Sequence, residues 1–269
     1  MKLVIFTSNG IRHKYVANTL AKFVDDILIV SECRQNDASD KETEGNLSPI
    51  DEHFRKRYLT EKVMFAGNGV FKGNVLPLVY KEANLEYTYQ VVKEFDPDLM
   101  IVFGSSIIKE PLLSLKPNRF INLHLGLSPY YRGSGTNFWP FVNKELEYVG
   151  STILHLDSGI DTGDILTHVK PNFEINDDVH IVGCKVIQES VNVLKKIIEM
   201  VKKNTELNRI KQWELSDSKY YKNSDFNEEI LNLYKKNLSE GLIKKFLEKS
   251  ENKIRIINID NDKNESDRN

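Results

Sequence analysis

Three polar residues have the types and the spacing needed for acyl transfer. Asn122 and His124 are two positions apart in the strand-like segment 120–124, and Asp161 follows in a glycine-containing turn. Residues two positions apart lie on the same face of a β-strand, so the amide and the imidazole would project together. An amide can donate to an oxyanion, an imidazole can move a proton near neutral pH, and a carboxylate can orient that imidazole. Together they are the minimum set for moving an acyl group onto an amine.

Each of these residues also has an ordinary structural explanation. A single histidine is more often a hydrogen-bonded core residue than a catalyst, and Asp161 could simply shape a turn beside Gly159 and Gly163. The neighbouring motifs, taken in order, favour the functional interpretation. Asp164 is interpreted as a turn residue or a cap. Four other histidines are interpreted as packing or surface residues: His53, His155, His168 and His180.

The surrounding sequence resembles the folate-dependent formyltransferase family, which includes methionyl-tRNA, glycinamide ribonucleotide and sugar N-formyltransferases. The family pattern runs Asn-x-His-x-Ser-Leu-Leu-Pro, then Tyr or Trp, Arg and Gly, and later Asp-x-Gly. Asn-x-His alone is weak evidence, but these elements in this order are specific. The resemblance covers roughly residues 1–200. The matching residues are Asn122, His124, Pro129, Arg132, Gly133 and Asp161.

The resemblance implies formyl transfer from N10-formyltetrahydrofolate to a primary amine. In the family the Asn and the His stabilise the tetrahedral intermediate, the His takes part in proton transfer, and the Asp orients it and relays protons. These roles fall on Asn122, His124 and Asp161. Gly126 and Ser128 stand where the family usually has Ser and the second Leu. The turn after His124, and with it the acceptor pocket, is therefore expected to differ in detail.

The donor-binding residues are assigned by their position relative to the family. Folate contacts in the family come from the loop after a buried strand and from the loop before the catalytic Asp. Small residues after a buried strand let backbone N–H and C=O groups reach the edge of a flat heterocycle. The predicted cofactor-binding residues are Phe103, Gly104, Ser105, Ser106, Ile107, Asp157, Gly159 and Ile160.

Two further motifs could contact an anionic acceptor. The segment Ser8-Asn9-Gly10 precedes a predicted helix that carries Arg12, and backbone N–H groups at a helix start attract anions. An ordinary strand-to-helix turn looks the same. Arg132 either stabilises its loop or contacts the acceptor, and the sequence leaves both options open. Two aromatic groups allow ligand stacking, with core packing as the default: Phe138, Trp139 and Phe141, and Tyr220, Tyr221 and Phe226.

The region after residue 203 separates the members of the family. Methionyl-tRNA formyltransferases carry a larger basic C-terminal domain, because tRNA binding requires phosphate neutralisation. Glycinamide ribonucleotide formyltransferases end soon after the core and would leave residues 204–257 unexplained. By elimination, the chain most resembles the sugar N-formyltransferases, which implies a nucleotide-linked amino sugar for surface polysaccharides as the acceptor. A methionyl-tRNA or glycinamide ribonucleotide formyltransferase is the alternative within the family. The alternative of another class is a non-catalytic folate- or nucleotide-binding module.

Hydrophobic patterning predicts an α/β fold with a Rossmann-like, three-layer, mostly parallel sheet and a small C-terminal helical or mixed appendage. The predicted strands cover residues 2–7, 27–30, 99–103, 120–124, 149–157 and 164–169. The predicted helices cover residues 12–24, 50–65, 85–95, 178–201 and 227–248. The loops expected between them include a polar surface loop over 33–48. The predicted divisions are a catalytic domain over 1–203, an appendage over 204–257 and a disordered tail over 258–269.

Composition narrows the classes of partner. With 269 residues, 40% of them hydrophobic, the chain can bury one α/β core plus an appendage. A formal charge of −2 gives no electrostatic footprint for nucleic acid or an anionic membrane, so small polar molecules are the expected partners. Cys33 and Cys184 lack the paired spacing of a metal or redox site, which favours reduced thiols and a cytoplasmic location. No apolar run approaches a membrane span or a signal peptide. The oligomeric state stays open, with a homodimer as one option.

Overall fold

A seven-stranded sheet forms the centre of the fold in a computed structural model that describes residues 1–33, 47–249 and 254–260. The strands within these residues are β1 (Lys2–Ser8), β2 (Asp26–Cys33), β3 (Asn74–Val79), β4 (Leu99–Phe103), β5 (Phe120–His124), β6 (Tyr131–Gly133), β7 (Ser151–His155), β8 (Ile165–Val169) and β9 (Lys219–Tyr221). The main sheet has the order β3-β2-β1-β4-β5-β7-β8, and β6 pairs separately with β9.

The first five strands of the main sheet are parallel, whereas β7 and β8 are antiparallel to their neighbours. The predicted mostly parallel sheet is therefore confirmed. The chain runs outward from β1 to β3 and then returns to pair β4 on the other side of β1. Ligands of such sheets bind beyond the carboxyl ends of the strands at this reversal point.

Helices cover both faces of the sheet. Within the described residues they are α1 (Ile11–Leu20), α2 (Pro49–Met64), α3 (Glu86–Phe95), α4 (Trp139–Asn143), α5 (Val179–Lys202), α6 (Glu228–Ser239) and α7 (Leu242–Glu248). Along β1, Leu3 and Ile5 point into a core with α1 and α5, while Val4 and Phe6 point into a second core with α3. This alternation produces the three layers, because successive strand residues face opposite sides. No described helix is long and apolar enough to cross a membrane.

Two of the differences from the sequence prediction have a clear physical reason. The helix predicted over 227–248 is divided into α6 and α7, because Gly241 takes a left-handed φ of +79° that a helix interior does not allow. Strand β3 was not predicted. It lies at the sheet edge, contains Pro77 and exposes 40% of Val75, so it lacks the continuous apolar run of a buried strand. Most of the loop predicted over 33–48 lies outside the described residues.

The region after α5 packs back onto the sheet. Ile210 pairs with Ile165 of β8, and β9 pairs with β6. The backbone N–H of Ile257 donates to His168 Nδ1 at 2.9 Å. Ile259 packs against the first core, within the tail predicted over 258–269, of which residues 261–269 lie outside the described residues. The predicted domain limits stay predictions.

Candidate active site

Strand β5 carries two of the predicted catalytic residues to the cavity at the carboxyl ends of the strands. Ile121 and Leu123 point into the core beneath α1 and α5. Asn122 and His124 therefore share the opposite face, as the strand period requires, and both line the cavity. Parallel pairing of Asn122 with Val102 of β4 fixes their height in the sheet.

The turn between β7 and β8 brings Asp161 to this pair. The Asn122 amide nitrogen donates to Asp161 Oδ1 at 3.1 Å, and His124 Nδ1 lies 3.3 Å from Asp161 Oδ2. One carboxylate therefore contacts both partners through its two oxygens. A carboxylate beside Nδ1 favours the proton on that nitrogen, which leaves Nε2 of a neutral ring as the proton acceptor.

The His124 ring is enclosed, and its second nitrogen is poised for a ligand. Only 7% of the residue is exposed. Its Nε2 atom is buried and, among the described residues, has no hydrogen-bond partner. Buried polar atoms are almost always paired in native proteins, so an orphan here points to a group supplied by a ligand. The arrangement suits proton transfer beside a hydrogen-bond donor.

Thr136 accounts for the unusual glycine after His124. A Cβ atom at Gly126 would lie 2.6 Å from both Cβ and Oγ1 of Thr136 and 2.7 Å from His124 Nε2. The Thr136 hydroxyl donates to the backbone carbonyl of Leu125 within the same turn. A serine at position 126 therefore has no room. Sequence reasoning did not single out Thr136, although the departure at Gly126 signals that another side chain occupies the space.

All eight predicted cofactor-binding residues line one cavity of about 910 Å³ together with the catalytic three. This volume is at the upper end of the range for small-molecule sites. The loop after β4 is Phe103, Gly104, Ser105, Ser106 and Ile107. The loop before Asp161 contributes Asp157, Gly159 and Ile160, and Asp157 holds it by accepting from the Gly159 N–H and the Thr162 hydroxyl.

A buried carboxylate fixes the loop after β4. Glu32, at the end of β2, is fully buried and accepts from the Ser106 N–H at 2.7 Å and the Ser106 hydroxyl at 2.6 Å. It also accepts from the Lys81 N–H at 2.9 Å. Hydrogen bonds to a carboxylate are roughly twice as strong as neutral ones, so this loop is well anchored. A carboxylate within the apolar strand sequence was the available signal for Glu32, and sequence reasoning missed it.

The same cavity has a basic and aromatic side that we call the α2 wall: His53, Phe54, Arg57, His180 and Phe226. The His53 and His180 rings lie 4.5 Å apart, and Phe226 contacts both His53 and Phe54 at 5.6 Å between centroids. The Arg57 guanidinium sits over the Phe54 ring at 4.8 Å. Burial lowers the pKa of His53 to about 4. Burial also lowers the pKa of His180. The two imidazoles are therefore neutral at pH 7, and the positive charge comes from Arg57.

Charge beside the α2 wall is not balanced. Arg12 Nε donates to Glu61 Oε1 at 3.0 Å, and Arg57 Nε lies 3.8 Å from the same oxygen. Two guanidinium groups thus share one buried carboxylate. Lys222 also lines the cavity and adds to the positive side. The sequence predicted packing or surface roles for His53 and His180, whereas the structure places both at the cavity.

The predicted acceptor contacts are only partly brought together. Arg12 lines the cavity, but the segment Ser8-Asn9-Gly10 is not among the described lining residues. Gly10 is the N-cap residue of α1 and has no side chain that could cap the helix. Arg132 is in β6, with Nη2 3.4 Å from the Ser218 hydroxyl. It is not among the described lining residues, although the next residue, Gly133, is.

The two aromatic groups also divide. Phe138, Trp139 and Phe141 belong to a buried core with α6, although Phe138 and Trp139 also reach the cavity. Tyr221 stacks on Trp139 at 4.0 Å between centroids. Phe226 lines the cavity, whereas Tyr220 is 54% exposed. Phe138, Trp139 and Phe226 therefore both pack against this core and line the cavity.

The mostly parallel sheet presents Asn122 and His124 at the end of β5, beside Asp161 in the turn between β7 and β8. This fold and this site are those of a group-transfer enzyme. A family profile described as "Formyl transferase" matches residues 18–198, which is more than half of the 269-residue chain. The chain therefore belongs to the formyl transferase family.

Curated relatives match over shorter segments. A methionyl-tRNA formyltransferase of Desulforamulus reducens is 30% identical over 43% of this chain and 36% of its own length. One of Caldanaerobacter subterraneus subsp. tengcongensis is 32% identical over 42% of this chain and 37% of its own length. The matched part thus spans little more than a third of these relatives.

Solved structures show the same fold at low identity. The N-formyltransferase of Helicobacter canadensis, in complex with folinic acid and dTDP-3-aminofucose, aligns with a TM-score of 0.54 at 19% identity, covering 84% of this chain and 73% of that one. The phosphoribosylglycinamide formyltransferase of Anaplasma phagocytophilum aligns with a TM-score of 0.53 at 15% identity, covering 82% and 97%. These likenesses support the fold.

Proposed function

We propose that this protein transfers a formyl group from N10-formyltetrahydrofolate to the amine of a nucleotide-linked amino sugar. Family membership and the arrangement of Asn122, His124 and Asp161 support the reaction. The α2 wall supports the assignment of the acceptor. Free cysteines at positions 33 and 184 fit a cytoplasmic setting.

The three central residues divide the work of acyl transfer. Asp161 holds the proton of His124 on Nδ1, so His124 Nε2 can take a proton from the acceptor amine as the amine nitrogen bonds to the formyl carbon. His124 can then return this proton to N10 of tetrahydrofolate as the bond between the formyl carbon and N10 breaks. The Asn122 amide donates one hydrogen to Asp161 and has a second for the carbonyl oxygen as negative charge develops there. Enclosure of His124 strengthens these interactions, because charges act more strongly where water is excluded.

The side of the cavity formed by residues 103–107 and 157–160 fits the folate donor. The donor supplies the activated formyl group. The loop anchored by Glu32 offers backbone groups to a flat heterocycle. Ile107 and Ile160 are each 54% exposed and offer apolar contacts to it. His124 lines the same cavity, where the formyl carbon would be presented.

The observation that carries the acceptor assignment is the unbalanced positive charge beside the α2 wall. Arg12 and Arg57 share Glu61, and Lys222 is added to the same cavity. Guanidinium groups bind phosphate oxygens well, and the aromatic rings of the wall offer faces to a nucleobase. A small amine joined to a nucleoside diphosphate would engage both features. The structural relative from Helicobacter canadensis was solved with such a compound.

A second candidate acceptor is methionyl-tRNA, because the curated relatives are methionyl-tRNA formyltransferases at 30% and 32% identity. A phosphate-binding wall also suits the end of a tRNA. A macromolecular acceptor would, however, be expected to require a broad basic surface, and the formal charge of the chain is −2. The nucleotide-linked sugar therefore has the stronger support.

The test is tetrahydrofolate release from N10-formyltetrahydrofolate with a panel of amines. The panel contains UDP-, GDP- and dTDP-linked amino sugars, glycinamide ribonucleotide and charged initiator tRNA. We expect release with one nucleotide-linked sugar only. A thermal-shift screen without donor should single out the same compound, since a ligand at 100 times its Kd stabilises by about 2.7 kcal/mol.

Other outcomes identify the alternatives. Release with glycinamide ribonucleotide or tRNA alone would overturn the sugar assignment and keep formyl transfer. Tight folate binding without release for any acceptor would favour a non-catalytic binding module.

A further inference from the structure

A segment of the C-terminal region runs along the turn that carries Asp161. Ile210 and Ile165 exchange two backbone hydrogen bonds, of 2.7 and 3.0 Å, in the manner of an extra strand beside β8. The His155 ring, on β7, lies with Nε2 2.9 Å from the Asn208 carbonyl. We call residues 207–213 the clamp segment. It lies beyond residue 198, where the family match ends.

Gln212 of the clamp segment holds the Asp161 turn directly. Its side-chain amide nitrogen lies 2.8 Å from the Asp161 carbonyl oxygen and 2.9 Å from the Gly163 carbonyl oxygen. A glutamine amide has two hydrogens, so both are used on this one turn. Gln212 is half-buried, which limits competition from water.

The turn needs such support because of its backbone conformation. Asp161 has a φ of +54°, in the left-handed region that residues with a Cβ rarely occupy. Conformations of this kind persist where the surroundings hold them, and they cluster at functional sites. This conformation is the one from which both carboxylate oxygens reach their partners, Asn122 and His124.

We propose that Gln212 is a positioning residue for formyl transfer. It fixes the backbone on both sides of Thr162 and thereby aims the Asp161 carboxylate at His124. The C-terminal region is then a working part of the active site, since the family-matched portion alone lacks this brace. The inference rests on the proposed function, because transfer is the activity that the brace serves.

The test replaces Gln212 with glutamate, which has the same shape and turns a donor toward two carbonyl oxygens into an acceptor. Misplacement of a catalytic group by about 1 Å can cost about 10²-fold in rate, so we expect kcat to fall between about tenfold and about 10²-fold. The acceptor KM should not change, because Gln212 holds the Asp161 turn and contacts no residue of the α2 wall. Lys211→Gln is the matched control, with the same change of charge at the adjacent exposed residue, and should keep full kcat.

A double variant separates positioning from a general loss of structure. In an Asp161→Asn background, measured by single turnover, Gln212→Glu should add no further loss, because its effect passes through Asp161. Additive losses would overturn the proposal. Hydrogen exchange gives a readout besides activity: amides of residues 159–164 should exchange faster in Gln212→Glu, while those of residues 120–124 keep their protection.

The failure of this inference is distinguishable from failure of the proposed function. If the wild-type chain releases tetrahydrofolate with none of the acceptors, the function is wrong and the exchange experiment alone tests the brace. If the wild type is active and Gln212→Glu changes neither kcat nor exchange of the turn, Gln212 does not position Asp161.

Discussion

The catalytic centre and the α2 wall belong to one cavity but are built in different ways. The centre comes from β5 and one turn, and Asp161 contacts both Asn122 and His124 directly. The α2 wall is assembled from α2, from the start of α5 and from Phe226, which are far apart in sequence. One strand and one turn thus supply the residues proposed for the chemistry, whereas packing between distant segments creates the surface proposed to bind the acceptor.

The two regions also differ in enclosure. His124 is 7% exposed, while the Arg57 side chain is 46% exposed. A buried, mutually hydrogen-bonded centre tolerates little change, because each member leaves a partner unsatisfied when it is removed. An exposed guanidinium can be replaced without such a penalty. The reaction should therefore be far more sensitive to substitution than the choice of acceptor.

The largest effect is expected for Asp161→Asn at the centre. The new amide group would face His124 Nδ1 with a donor, so the ring would change tautomer and lose Nε2 as the proton acceptor. A comparable change in a serine protease lowers kcat about 10⁴-fold, equivalent to about 5 kcal/mol of barrier, and we expect a similar fall. Steady-state tetrahydrofolate release measures it.

The control for Asp161→Asn is thermal stability, with His124→Ala as a companion variant. Both proteins should melt within a few degrees of the wild type, because neither change breaks the sheet and a buried group left without its partner costs only about 1–3 kcal/mol. A large loss of melting temperature in both would mean that the three residues hold the fold together and do not perform the chemistry.

Sequence reasoning reached the centre because its residues follow a strand period and an ordered motif. The sheet could also be predicted, since β1, β2 and β4 contain continuous apolar runs. It failed where a residue acts through distant contacts. Glu32 is separated from Ser106 by 74 positions, and Gln212 from Asp161 by 51. Nothing in the local sequence of α2 indicates that His53 and His180 would meet on one wall of the cavity.

A second, smaller effect is the loss of folding stability at low pH, which can be measured separately for the packing around each of the two regions. His168 lies behind the centre, with Nε2 2.8 Å from the Ser128 carbonyl, and is 4% exposed. Burial lowers the pKa of His168 to about 4. The folded state therefore binds a proton less readily than the unfolded chain, whose histidine pKa is about 6.5. This contribution to stability is complete above pH 6.5 or so and is lost as the pH falls toward 4, by about 3 kcal/mol in all.

Urea unfolding at several pH values separates the two frameworks. His168→Gln keeps a donor for Ser128 but does not titrate, so its free energy of unfolding should fall less between pH 7 and pH 4.5 or so. His53→Gln makes the same comparison at the α2 wall, where burial also lowers the pKa of His53 to about 4. A wild-type pH dependence in His168→Gln would show that this ring does not carry the acid sensitivity.

The smallest effect is expected for Arg57→Ala, and it bears most directly on the difference between the regions. A hydrogen bond to a charged group contributes about 1.5–3 kcal/mol, and the exposure of Arg57 favours the lower end of that range. We therefore expect the acceptor KM to rise about tenfold, with kcat and the donor KM unchanged. Arg55→Ala on the same helix is the matched control, because Arg55 is exposed and is not among the described residues that line the cavity.

Two further measurements, one at high ionic strength and one with a simpler acceptor, test whether Arg57 acts by binding phosphate. The difference between Arg57→Ala and the wild type should shrink at high ionic strength, since a partly exposed ion pair is screened. It should disappear with an amino sugar that lacks the nucleoside diphosphate. If Arg57→Ala instead lowers kcat and leaves the acceptor KM unchanged, the α2 wall serves the chemistry as the centre does, and the proposed division between the two regions is wrong.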